Sequence, residues 1–152
     1  MKLTKFVVEE FVPRELYNLM GDHAICCMDE ELITFIINLR QTLNRPITIN
    51  TWKWGGRFTS RGIRLPGSTY YSATSQHSEG KALDFDVAGM PASEVRSWII
   101  SNRDLVWVKP ITFIEDGVNW VHIDVGLTHG RSKDKLILWH VKTKNSVVYT
   151  HN

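Results

Sequence analysis

The sequence predicts an α+β fold, in which helices pack on one face of a small antiparallel sheet and leave the other face for a polar site. Two segments repeat their apolar residues at helical spacing, and several short segments alternate apolar with polar residues as half-buried strands do. The dipeptide Asp116-Gly117 separates two of the short segments, and Asp-Gly is a common hairpin turn. We therefore expect neighbouring strands to run antiparallel.

Three helices are predicted. The clearest covers about residues 29–44, where Asp29 can cap the N-terminus and the apolar residues form one stripe. Pro46 closes this segment. A shorter helix is expected over about residues 13–20, and another over about residues 91–102, which begins with a proline suited to the first helical turn.

The predicted strands are short and are joined by turns. Segment 82–87 alternates most cleanly, with Asp84 and Asp86 on the face opposite its apolar residues. A long aperiodic stretch over residues 55–76 is expected to be a functional loop, because loops of this length are uncommon in small domains. The predicted strands cover segments 47–52, 82–87, 111–115, 119–125, 136–141 and 146–150.

Composition limits the classes of protein that the chain can belong to. A chain of 152 residues, 43% of them hydrophobic, predicts a single domain over residues 1–152 with its own core. The net charge of +2 is too small to favour nucleic acid as a partner. The only cysteines, Cys26 and Cys27, are adjacent, which argues against a disulfide framework and a cysteine-rich zinc finger. Without a signal peptide or a long apolar run, we expect a cytoplasmic monomer with no membrane partner.

Two predicted strands carry a histidine or aspartates on their polar faces, and a further histidine lies just before the first of these strands. His77 ends the long loop, Asp84 lies on the next strand and His122 lies on a later one. Gly80 permits a tight turn between the first two residues, and Ala82 leaves space beside Asp84. Two imidazoles and one carboxylate form a metal-binding set, and they leave a fourth tetrahedral position for water, as in catalytic zinc sites.

Two motifs carry a family resemblance. The first is Ser75-Gln-His77-Ser-Glu-Gly80-Lys-Ala82-Leu-Asp84, and the second is Trp120-Val-His122-Ile-Asp124. Together they resemble the zinc D-alanyl-D-alanine carboxypeptidase family, which includes phage L-alanyl-D-glutamate endopeptidases and the metal-binding domain of hedgehog-type proteins. The segment Arg61-Gly-Ile-Arg64-Leu-Pro66 is similar to one that these enzymes carry upstream. The resemblance covers roughly residues 47–125 and is greatest to short, single-domain members encoded by bacteriophages.

The resemblance implies a zinc site on the sheet face away from the helices. By that resemblance Zn²⁺ is the cofactor, and its ligands are His77, Asp84 and His122. Arg64 would bind a substrate carboxylate or polarise the scissile carbonyl, since an arginine beside zinc can stabilise a developing oxyanion. A carboxylate would accept a proton from the metal-activated water and pass it to the leaving amine.

The general base is where the chain departs from the family pattern. Many members place a carboxylate three residues before the last histidine, but here that residue is Asn119, which cannot act as a base. Glu115 and Asp116 lie at the edge of the preceding hairpin, and paired strand neighbours are only about 5 Å apart. We predict Glu115 as the base, with Asp116 as the second candidate. If neither reaches the water, zinc binding survives without peptidase activity.

Three further residues are predicted to belong to the site. Asp124 shares a strand face with His122 and is expected to hydrogen-bond a ligand histidine. Trp120 would either wall the substrate cleft or cover the sheet. Ser75 would either bind substrate or hold the loop that carries His77.

The predicted function is that of a zinc peptidase that hydrolyses a bond in the stem peptide of peptidoglycan, as a carboxypeptidase or an endopeptidase. Arg57 and Arg61 of the long loop are expected to be solvated or to contact an anionic polymer. The resemblance implies storage in the host cytoplasm and release by a holin, or a place in the virion. The alternative, which Asn119 leaves open, is a zinc-binding interaction or virion structural domain without catalysis.

Overall fold

A mixed six-stranded sheet forms the centre of the molecule. The computed structural model describes residues 5–152, which contain this sheet and three α-helices. The strands lie in the order β1-β2-β4-β3-β5-β6, which agrees with the predicted α+β class. Their bounds are β1 Ile47–Thr48, β2 Ala82–Val87, β3 Phe113–Asp116, β4 Val121–Asp124, β5 Lys135–His140 and β6 Asn145–Thr150.

One pairing differs from the predicted antiparallel sheet. β3 and β5 run parallel, with Phe113 beside Ile137, whereas the other strand pairs are antiparallel. β5 lies on the far side of β3 from β4, so the connecting segment 125–134 crosses the end of β3. Alternation of residue types indicates where strands are, but the order of strands depends on tertiary packing. The expectation of a purely antiparallel sheet is therefore wrong.

The three predicted helices are present within one residue of their expected ends. They are α1 Arg14–Met20, α2 Glu30–Leu43 and α3 Ala92–Ser101. Asp29 caps α2 as predicted, because its Oδ1 accepts a hydrogen bond from the N–H of Glu31 at 2.9 Å. Within residues 5–152, none of the helices combines the length and the apolar character that a bilayer crossing requires.

The helices cover the sheet face that carries the apolar side chains. Helix α2 and the strands contribute to one buried cluster, and this cluster includes residues that alternate along β2 and β4. The residues between them project to the opposite face, so burial of the core determines which side chains are left for a site. Fully buried members of the cluster include Leu32, Phe35, Ile36, Leu39, Leu83, Phe85, Ile114, Val121 and Ile123.

The chain between β1 and β2 has little regular structure. The strand predicted over residues 47–52 is limited to β1, since Trp52–Trp54 forms a 3₁₀ turn. The side chain of Asn50 accepts a hydrogen bond from the N–H of Arg61 at 2.9 Å, which ties the long loop to this region. A second 3₁₀ turn, Gln76–Glu79, directly precedes β2.

Gly80 allows this 3₁₀ turn to pass tightly into β2. Its φ is +69°, in the left-handed region, and a Cβ here would collide with the carbonyl oxygen of Cys27. We expect Gly80→Ala to lower the free energy of unfolding by more than the ~1–2 kcal/mol that this conformation alone costs an alanine. Gly130→Ala is the matched control, because its φ is +75° with nothing within 4 Å of the added Cβ. If urea denaturation gave the same loss of unfolding free energy for both variants, the close approach of residue 80 to the carbonyl oxygen of Cys27 would be contradicted.

Candidate metal centre

Three neighbouring strands place polar side chains next to one another on the face away from the helices. Asp84 of β2 lies opposite His122 of β4, and Glu115 of β3 lies opposite the same histidine. Directly paired residues of antiparallel strands project to one face, with Cβ atoms about 4.5–5.5 Å apart. Strand pairing therefore brings Asp84, His122 and Glu115 side by side.

His77 joins these residues from the 3₁₀ turn before β2. Ser75 caps this turn, and its Oγ accepts a hydrogen bond from the N–H of His77 at 3.3 Å. The Nδ1 of His77 donates to the carbonyl oxygen of Gly62 at 2.8 Å, since a carbonyl only accepts. Neutral His77 thus has its lone pair on Nε2, the atom nearest Asp84 and His122. Of the two roles considered for Ser75, this contact supports holding the loop.

The spacing of the three side chains fits a metal ion. One ligand atom from each of His77, Asp84 and His122 lies within 4.8 Å of the others. His77 Nε2 lies 3.3 Å from His122 Nδ1 and 3.4 Å from Asp84 Oδ2. Ligand atoms of a tetrahedral site with bonds of about 2.0–2.1 Å are separated by about 3.3–3.4 Å. This buried group of two imidazoles and one carboxylate could therefore hold a metal ion.

Burial and hydrogen bonding together determine the protonation of this group. The exposed fractions of the side chains are 2% for His77, 11% for Asp84 and 12% for His122. Burial raises the pKa of Asp84, but a hydrogen bond from His122 and the close approach of the His77 ring outweigh it and hold that pKa well below its usual range. Burial lowers the pKa of His122, but hydrogen bonds to Asp124 and Asp84 and the charges of Asp84 and Glu115 raise it to about 10. His122 of the metal-free protein is therefore a cation at neutral pH.

Arg64 lies against the carboxylate of Asp84. Its Nη2 donates to Asp84 Oδ2 at 2.9 Å, and its Nε donates to the carbonyl oxygen of Ser60 at 2.8 Å. Burial lowers the pKa of Arg64, and the charges of Asp84 and Glu115 oppose this effect. A guanidinium has five N–H donors, so these two contacts leave donors for another ligand.

Asp124 contacts His122 from the side away from Asp84. Its Oδ2 lies 3.6 Å from Nε2 of His122, while its Oδ1 accepts hydrogen bonds from the N–H of Gly126 at 3.1 Å and from Arg131 at 2.7 Å. Asp124 is only 2% exposed, so the guanidinium of Arg131 compensates a charge that would otherwise be costly to bury. This position is compatible with the predicted role of Asp124, which stays a prediction. Sequence reasoning missed Arg131, which lies on the irregular crossing segment and belongs to no periodic pattern.

The two candidate bases project to opposite faces of β3. Glu115 lines a cavity of about 180 Å³ together with His122 and Asp124. Asp116, the next residue, forms an ion pair with Arg96 of α3 at 3.0 Å, on the side of the helices. The geometry therefore favours Glu115 over Asp116 as the carboxylate next to a bound metal.

A larger cavity opens on the other side of the metal-binding residues. Its volume is about 440 Å³, and Asp84, Arg64 and Trp120 lie in its wall. Of the two roles considered for Trp120, this position supports lining a cleft. Because one cavity contains Asp84 and the other contains His122, the metal-binding residues lie between the two.

Comparison with known proteins does not assign the chain to a family. No family model, no curated protein and no solved structure matches it. The family resemblance of the two motifs therefore stays a prediction. The feature of the fold that points to a function is the convergence of His77, Asp84, His122 and Glu115 at one place.

The raised pKa of His122 makes the stability of the metal-free protein depend on pH. A folded pKa of about 10 lies above the ordinary value of 6.5, so the stabilisation is complete below pH 6.5 and is lost as the pH rises toward 10. We expect the urea midpoint of chelator-treated protein to fall between about pH 6.5 and pH 9.5. The urea midpoint of His122→Gln should depend less on pH than that of the wild type. A wild-type midpoint that does not change over this range would contradict the assignment.

The contact of Asp124 with His122 predicts an effect on metal affinity. Asp124→Asn keeps the shape but removes the charge that orients the imidazole, so metal binding should weaken about 10- to 100-fold. The measurement is competition with a chromophoric chelator, with circular dichroism to confirm folding. Asp86→Asn is the control, because Asp86 lies on the same face of β2 but pairs with Arg61 at 2.6 Å. Equal affinities of the two variants would argue against this role of Asp124.

Proposed function

We propose that the protein is a zinc-dependent peptidase that hydrolyses a bond in the stem peptide of peptidoglycan. The observation that carries the proposal is the placement of Glu115 directly opposite His122, beside three ligand atoms that lie within 4.8 Å of one another. Three protein ligands with a free carboxylate next to them form the arrangement of a hydrolytic metal site rather than a structural one. The motif resemblance supplies the substrate class.

Glu115 is the residue that moves the proton in this proposal. A bound zinc ion lowers the pKa of a coordinated water and polarises a carbonyl oxygen. With a metal held by His77, Asp84 and His122, Glu115 would accept a proton from the attacking water and deliver it to the nitrogen of the leaving amine. The leaving amine is therefore on the side of the 180 Å³ cavity, which Glu115 lines.

Arg64 acts on the other side of the scissile bond. Its side chain is 17% exposed and is held by Ser60 and Asp84, so its charge is fixed before substrate binds. Its remaining donors can approach the carbonyl oxygen, where negative charge develops during attack. The role that the resemblance implies for Arg64 is compatible with this position.

Asp124 and Ser75 have positioning roles in the proposed mechanism. Asp124 fixes the ring of His122 through Nε2, and Ser75 fixes the turn that carries His77. Trp120 lines the larger cavity and would contact the acyl part of the peptide. These residues would restrict the ligands and the substrate to one geometry, which catalysis by a metal-activated water requires.

The decisive experiment is to incubate zinc-loaded protein with defined muropeptides and to identify the products by mass spectrometry. We expect cleavage by the wild type and a loss of about 10²- to 10⁴-fold in Glu115→Gln, because the general base is removed. Asp116→Asn is the matched control and should still cleave, since Asp116 pairs with Arg96 on the other face of the strand.

Two results would contradict the proposal. No cleavage by wild type with one equivalent of zinc bound would favour the alternative, a zinc-binding interaction or virion domain without catalysis. Undiminished zinc binding in His77→Ala would overturn the assignment of the metal ligands themselves.

A further inference from the structure

We propose that the 440 Å³ cavity is an anion subsite that receives a carboxylate on the acyl side of the scissile bond. This inference rests on the proposed peptidase function for its direction, whereas the subsite itself rests on the charges that line the cavity. It identifies Arg57 as the residue that determines specificity for an acidic substrate.

The wall of this cavity carries an excess of positive charge. Three guanidinium groups, those of Arg57, Arg61 and Arg64, line it, and Asp84 is its one carboxylate. Asp84 belongs to the metal-binding group and is already paired with Arg64. A negatively charged ligand group entering this cavity therefore meets more positive than negative charge.

Two of the cations share one aromatic ring. The guanidinium carbon of Arg61 lies 3.5 Å from the ring centroid of Phe58, and that of Arg57 lies 5.0 Å from the same centroid. Arg61 is neutralised by Asp86 at 2.6 Å. Within residues 5–152, no carboxylate lies within ion-pair distance of Arg57.

Such an arrangement favours an anion as the missing partner of Arg57. An incoming carboxylate would supply the counter-charge that Arg57 lacks and would form charge-assisted hydrogen bonds with its guanidinium. The planar guanidinium matches the geometry of a carboxylate, which can accept two parallel hydrogen bonds. A cationic side chain at the same place, such as a lysine of the substrate, would be disfavoured.

The position of Glu115 determines which part of the substrate occupies the subsite. Glu115 lines the smaller cavity on the other side of the metal-binding residues, and in the proposed mechanism the leaving amine is next to it. The larger cavity is therefore on the acyl side, where Arg64 meets the scissile carbonyl. The aromatic rings of Phe58, Tyr70 and Trp120 line the same space and can contact the apolar part of that residue.

The test compares two synthetic stem peptides that are identical except for one group on the acyl side of the cleaved bond. One peptide has a free carboxylate there and the other has a carboxamide. We expect wild-type kcat/KM to be about tenfold higher for the carboxylate, which is the effect of one charge-assisted hydrogen bond. In Arg57→Gln this preference should fall to near one.

Lys142→Gln is the charge-matched control, since Lys142 is exposed in the turn between β5 and β6, away from the cavity. It should retain the full preference. An equal kcat/KM for the two peptides in wild type, or an unchanged preference in Arg57→Gln, would overturn the subsite while leaving the peptidase function intact.

Binding of the same two peptides to zinc-loaded Glu115→Gln, measured by calorimetry, separates the subsite from catalysis. Tighter binding of the carboxylate peptide that disappears in the double variant with Arg57→Gln supports the subsite. This holds even if wild type cleaves neither peptide, because absence of cleavage refutes only the peptidase function. No preference in binding, or no measurable binding of either peptide, overturns the subsite.

Discussion

Asp84 and His122 meet because β2 and β4 pair in one register, and the rest of the site depends on that pairing. The register is determined by the opposite face, where Leu83 and Phe85 pack against Ile123 and Val121 in the core. Since side chains alternate along a strand, a slip of one residue would bury the polar groups and expose the apolar ones. The apolar core thus fixes the geometry of a site to which it contributes no atom.

The same pairing concentrates charge in a region with little access to water. Asp84 and Asp124 are both buried carboxylates, and burial of a charge is costly unless it is paired and hydrogen-bonded. Arg64 compensates Asp84 from the loop side, and Arg131 compensates Asp124 from the crossing segment. His122 bridges the two carboxylates, so removing His122 would cost each of them one of its partners. Binding of a metal to the folded state alone would add to its stability.

Local patterns in the sequence are sufficient to predict the helices, most strands and the His77, Asp84 and His122 group that could hold a metal ion. The Asp116-Gly117 turn also implied that β3 and β4 pair, which is why Glu115 could be predicted near His122. Local patterns do not predict contacts that depend on the order in which the strands lie in the sheet. The parallel pairing of β3 with β5 and the contact of Arg131 with Asp124 both depend on where the crossing segment lies.

The long loop shows the same limit. The sequence predicts that Arg57 and Arg61 are solvated or contact an anionic polymer, because a segment without periodicity does not indicate which residues of a loop meet. In the folded chain they approach one ring, that of Phe58, at the wall of a cavity that also contains Asp84. The predicted strand over residues 47–52 is longer than β1. Beyond β1 the side chain of Asn50 accepts a hydrogen bond from the loop residue Arg61, a contact that no local pattern indicates.

The crossing segment 125–134 belongs to two parts of the molecule at once. It leads into the hairpin of β5 and β6, and through Arg131 it also holds Asp124 beside His122. Docking of that hairpin on β3 and orientation of the imidazole are therefore thermodynamically linked, and such linkage is reciprocal. A metal ion that holds His122 in place would slow the opening of the hairpin of β5 and β6, although this hairpin supplies none of the metal ligands. Amide exchange in β5 and β6 would therefore report on occupancy of the metal centre.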